Sequence, residues 1–173
     1  MKKVQYIFTL LICITTLMIS CQKNKEIPTS DDIGTHAFYL LNNFENTSEK
    51  EYINSMYTYE ELKSYVQKNA DSLENDFKEN IAVLTKENFN SRIKKDYKNL
   101  KETATSFNID WNDIEAINFQ YWPRAKYGIE SLKGDLFFTH DTKNYKVTVT
   151  SLKVGNSYFI TKIEALKEVI PEQ

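Results

Sequence analysis

The chain has 173 residues, with 22 basic and 24 acidic side chains, a net charge of −2 and a sequence pI near 5.8. That balance excludes the basic stripe of a nucleic-acid binder, and an aromatic content of 13% excludes a disordered main domain. Four glycines and three prolines leave few chain breaks, which favours helices and plain hairpins over a loop-rich fold.

The first element is a leader. Lys2 and Lys3 open it, and an apolar run follows from Val4 to Ile19, interrupted by Gln5 and three threonines. The run is about 16 residues, short of the ~20 that span hydrocarbon, which argues against a retained transmembrane helix. A charged start, an apolar middle and the small residue Ser20 are the parts of a secretory signal. With Cys21 directly after Ser20, the stretch Met18-Ile19-Ser20-Cys21 resembles a bacterial lipoprotein signal. It departs from the family pattern at Met18, where leucine is commonest. The resemblance implies a signal peptide over 1–20, acylation of Cys21 (palmitate or a similar chain) and a cell-envelope location held by a lipid anchor. Cys13 leaves with the signal, so the mature chain has no free thiol, disulfide or cysteine-ligated metal. Losing Lys2 and Lys3 leaves 20 basic against 24 acidic residues, with no polybasic cluster to hold the domain on an anionic bilayer.

Residues 21–30 read as the lipidated cysteine and a polar tether, without apolar period and with Pro28 against helix. The start Cys21-Gln22-Lys23, followed by Glu26, partly resembles the surface-export signal of Bacteroidetes lipoproteins. Periplasmic and surface exposure of the outer membrane both stay open.

From residue 31 to 173 a single domain of suitable size for one core is expected. Ser30 reads as the N-cap of a first helix carrying Ile33, Ala37, Phe38, Leu40, Leu41 and Phe44 at helical spacing, ending near Asn42 and Asn43. Ser48-Glu49-Lys50-Glu51 and Thr58-Tyr59-Glu60-Glu61 are capping boxes opening short helices. Leu73, Phe77, Ile81 and Leu84 form a stripe that Phe89, Ile93, Tyr97, Leu100, Ala104 and Phe107 continue, predicting one long amphipathic helix.

After Asp113 the period drops to two. Glu115 to Tyr121 reads as a first strand ended or bulged by Pro123, with later strands over 131–139, 145–152 and 157–165. Hairpin turns fall at 140–144 and at Val154-Gly155-Asn156. The fold class is therefore α+β: N-terminal helices, including one long amphipathic helix, packed on a C-terminal four-stranded antiparallel meander.

This plan resembles cone-shaped nuclear-transport-factor-two-like and cystatin-like domains. Ile109-Asp110-Trp111, Asn144-Tyr145-Lys146-Val147 and Gly155-Asn156-Ser157-Tyr158 also resemble stretches of small Bacteroidetes lipoproteins, over about residues 48–165. The resemblance implies a fold and a location, and no activity.

Enzyme motifs are scarce. The scattered glycines make no phosphate loop. His36 lies in the first helix and His140 in a turn beside Asp141, where the bland reading is a polar β-turn with Asp141 bonding its own backbone. Neither histidine has metal-ligand spacing. Trp111 between Asp110 and Asp113 could be a sugar platform, or a buried anchor before a capped turn. The expectation is no catalytic residue, no cofactor and no metal. The sheet aromatics cannot all face the core, because neighbours point to opposite faces. Phe119, Tyr121 and Trp122 mark a possible binding face. The leading expectation is a lipid-anchored, non-enzymatic binding module for a protein or small-molecule partner. The alternatives are a cone-fold enzyme with its site between sheet and helix, or an inhibitor or immunity-type protein.

Overall fold

A computed structural model describes residues 25–170. The expected signal peptide and Cys21 lie outside the described residues. Among the described residues, five α-helices precede the sheet: α1 (Asp32–Asn42), α2 (Glu49–Ser55), α3 (Tyr59–Lys68), α4 (Asn75–Ala82) and α5 (Lys86–Phe107). Four strands follow: β1 (Glu115–Lys126), β2 (Ile129–His140), β3 (Lys143–Val154) and β4 (Ser157–Glu168). They pair antiparallel in the order β1-β2-β3-β4. The expected α+β plan is the observed one.

Local chemistry sets most of the boundaries. Both capping boxes form: Ser48 Oγ accepts from the Glu51 N–H and Thr58 Oγ1 from the Glu61 N–H, while each glutamate reaches back to its cap. The α1 cap differs from expectation. Asp31, not Ser30, sits at the N-cap position, and neither side chain caps the helix. The Ser30 carbonyl instead accepts the Ile33 N–H. The apolar stripe that runs from Leu73 to Phe107 is split between two helices. The chain breaks at Val83-Leu84 and restarts where Thr85 Oγ1 caps α5 by accepting from the Asn88 N–H. The 22 residues of α5 end at Asn108, whose left-handed φ of 54° lets Ile109 N–H bond the Ala104 carbonyl.

Pro123 does not end β1. The strand runs three residues beyond it, because β1 is an edge strand and only its inner side must supply ladder hydrogen bonds. The irregularity falls instead at Ile117, between Ala116 and Asn118, and leaves Ile117 half exposed.

The core lies between the helices and one face of the sheet. From β2 it takes Leu132, Leu136 and Phe138, from β3 Tyr145, Val147 and Val149, and from β4 Ile160, Ile163 and Leu166. Helix α1 lies over all four strands, and α5 packs along β4 and α2 with Ile93, Tyr97, Leu100 and Ala104 inward. The opposite sheet face is covered at one end only. There Tyr57 packs on Phe159, with ring centres 5.2 Å apart. The turn after β1 docks on the α3–α4 connection, through the Glu74 N–H on the Tyr127 carbonyl and Phe77 stacked on Tyr127. The middle of that face is polar, with Lys146 Nζ 2.8 Å from Asp135 and Thr148 also donating to it.

The polar tether expected over 21–30 does not extend to residue 30. Ile27 is buried and forms an antiparallel bridge with Tyr158 on the outer edge of β4, with N–H···O distances of 2.9 and 2.8 Å. Lys25 donates to the Met56 carbonyl and pairs with Glu61 at 3.1 Å. On the same edge the Tyr57 N–H bonds the Ile160 carbonyl. Partial burial works against the Glu61 carboxylate, but hydrogen bonds from Thr58 and Lys25 outweigh it and hold its pKa below the ordinary value. Burial first, then Glu61 and Tyr65, push the Tyr57 hydroxyl up to about 12.

Two outcomes follow from this arrangement. Ile93→Ala should cost roughly 2–4 kcal/mol, as buried large-to-small changes do, and Lys95→Ala on the exposed face under about 0.5 kcal/mol; equal small losses in urea unfolding would refute the packing of α5. Because the folded Glu61 pKa is depressed, its contribution is present above the unfolded carboxylate pKa and is lost as pH falls through the folded value. The protection of the Ile27 amide, taken relative to the free-peptide exchange rate at the same pH, should therefore fall in strong acid, and in Glu61→Gln it should be low at neutral pH as well.

Candidate functional site

The three residues marked as a binding face do not share one. Phe119 pairs with Leu136 and Tyr121 with Gly134, so both face α1, while Trp122 pairs with Lys133 and points to the other side. The two-residue period of a strand forbids Tyr121 and Trp122 from lining one surface. Trp122 stays exposed on the outer face of the edge strand.

Phe119 is part of the packing. Its ring lies against Gly34 of α1 and Gly134 of β2, where a Cβ would come within 2.5 and 2.6 Å of Phe119 carbons. Two glycines, one on each layer, thus make the slot that seats it. Tyr121 stacks on Phe119 at 5.5 Å and donates its hydroxyl to Asp31 Oδ1 at 2.7 Å, with Ser30 Oγ at 3.0 Å. Asp31 therefore ties the start of α1 to β1 without capping the helix. Sequence reading missed this residue, because a partner 90 positions away leaves no local pattern.

These residues border a groove between α1 and β1 of about 360 Å³. Phe38, Phe119 and Leu136 make its apolar side, and Asp31, Thr35, Ile117 and Tyr121 line it with them. Below it lies the buried core between helix and sheet. A hydroxyl and a carboxylate meet at the groove, but the carboxylate is exposed and already holds the tyrosine proton donor. That geometry suits orientation of α1 or binding of a polar ligand end, and lacks the water-excluded setting in which acid–base groups gain most.

The other singled-out residues are structural. His140 is not in a turn; it is the buried last residue of β2. Its Nε2 accepts the Asp110 N–H at 3.1 Å, so in the neutral ring the proton sits on Nδ1, 3.6 Å from Asp141 Oδ2. The turn itself is Asp141-Thr142, with Asp141 at φ 54°. His36 on α1 donates from Nδ1 to the Asp32 carbonyl at 3.1 Å. Trp111 is fully buried against Phe44 and Phe138, which overturns the sugar-platform reading. Asp110 caps the following turn: the Asn112 backbone N–H and side-chain amide hold its carboxylate below the usual range. Among the described residues no three His, Cys, Asp or Glu side chains converge as a metal cage.

Tyr121→Phe removes one hydrogen bond to a carboxylate and should cost about 0.5–1.5 kcal/mol with stacking kept. A matching loss in Asp31→Ala, and no further loss in the double variant, would show the coupling in a thermal-unfolding cycle.

No protein-family model matches the chain, and no curated protein or solved structure is significantly similar to it.

Proposed function

We propose that the chain is a lipid-anchored cell-envelope lipoprotein working as a non-enzymatic binding module, with β1 and the neighbouring α1–β1 groove as its contact surface. The leader ending in Ser20-Cys21 supports the anchor. Among the described residues no helix is long and apolar enough to cross a membrane.

One contrast carries the binding half of the reading. The two edges of the sheet are treated differently. The β4 edge is clasped by Ile27 and by the Tyr57 N–H. The outer edge of the 12-residue β1 carries no strand among the described residues, and it presents exposed Ile117 and Trp122. A bare edge with apolar side chains beside it suits a partner that adds an extended segment, where backbone hydrogen bonds give affinity and side-chain contacts give selectivity. Pro123 and the irregularity at Ile117 limit uncontrolled edge-to-edge pairing.

The Asp31–Tyr121 pair favours a second reading, a small-molecule enzyme of the α1–β1 groove.

Cys21→Ser should abolish metabolic acyl labelling and membrane retention; acylation that persists in this variant refutes the anchor. Ile117→Lys with Trp122→Lys should release a partner cross-linked at Asn118 in intact cells while the protein stays anchored and folded. If the biological role survives that change but is lost in folded Asp31→Asn, the enzyme reading takes first place.

A further inference from the structure

A second groove, of about 400 Å³, lies on the far side of α1. Ile27, Leu40, Ile160 and Tyr39 give it its apolar character, Lys25 and His36 line it with them, and Tyr39 remains half exposed. We propose that this face rests on the bilayer, with Tyr39 in the headgroup boundary and the groove open to the outer ends of the acyl chains. The inference rests on the lipid anchor at Cys21 proposed above.

Its argument is the length of the chain and the place where it joins the fold. Ile27 is bridged to β4 and Lys25 is held by the Met56 carbonyl and Glu61. Only Gln22, Lys23 and Asn24 separate Lys25 from Cys21. Four residue steps reach at most roughly 14 Å, so an acylated Cys21 keeps the Lys25 side of the domain at the membrane surface. That side is where the groove opens. A tyrosine with one apolar and one wet end is the side chain that settles at such a boundary. The domain lacks a polybasic cluster, so contact would depend on apolar burial and the anchor. In this orientation the β4 edge faces the membrane and the bare β1 edge, across the sheet, faces away, open to a partner.

The mature chain has no cysteine besides Cys21, so single labels can be placed cleanly. Thr35→Cys puts an environment-sensitive fluorophore on the exposed side of α1, at the rim that this groove shares with the α1–β1 groove, and Thr142→Cys puts one on the opposite end of the sheet, ~35 Å along β3 from the other hairpin end. The full-length lipidated protein is reconstituted into phosphatidylethanolamine–phosphatidylglycerol vesicles containing lipids brominated near the headgroup. The label at Thr35 should be quenched several-fold more strongly than the label at Thr142. Tyr39→Ser should lower that difference without reducing co-flotation with the vesicles. Equal quenching of both labels on floating protein overturns the orientation and leaves the anchor standing. A blue-shifted but unquenched Thr35 label places the anchor's own acyl chain in the groove and overturns the bilayer as its occupant. Protein that fails to float and carries no lipid by mass spectrometry refutes the anchor, and the orientation with it.

Discussion

A connected set of aromatic rings holds the helices to the sheet. Tyr52 of α2 and Tyr97 of α5 touch each other and Phe44; Phe44 touches Trp111, Trp111 touches Phe138 of β2, and Phe138 stacks on Tyr145 of β3, which meets Phe107 at the end of α5. Each ring removes a large apolar area from water, and their tilted or offset contacts add ~0.5–1.5 kcal/mol per pair. The seam also fixes direction. Trp111 can be buried only if the chain leaves α5 sharply, which the left-handed Asn108 provides, and if the Asp110 turn is held, which His140 does from the end of β2. A histidine that reads locally as a loop residue is thus a fastening between the first turn after α5 and the sheet. Tyr97 adds a further tie through its hydroxyl, which donates to the Thr47 carbonyl.

What was legible in the sequence was what repeats locally. The stripe from Phe89 to Phe107 identified α5 because every third or fourth side chain in it touches the core. The two capping boxes were legible because each closes within four residues. The strands and two of their turns were legible from period and turn residues, although all four strands run further than alternation alone indicated. The illegible parts are set by distance along the chain. Pro123 looked like a strand end because nothing local distinguishes an edge strand from a central one. Ile27 sat in a segment without pattern, and only its meeting with Tyr158, far away in sequence, makes it core.

The candidate site followed the same rule. Phe119, Tyr121 and Trp122 drew attention as an aromatic run, but the pleat divides them between two surfaces. The physical role of Phe119 depends on Gly34 and Gly134, which lie on two other elements. Asp31 stands at a helix start with no local pattern around it, and its bond to Tyr121, 90 positions away, makes it the polar end of the groove.

The clasp at Ile27 also determines how the domain meets force. Tension on the chain upstream of Lys25 enters the fold at a sheet edge, through the Lys25–Glu61 ion pair, the Lys25 bond to the Met56 carbonyl, the buried Ile27 side chain and a pair of backbone hydrogen bonds. Such a junction is expected to open before the aromatic seam is loaded, releasing residues 25–29 while the sheet and its helices keep their shape.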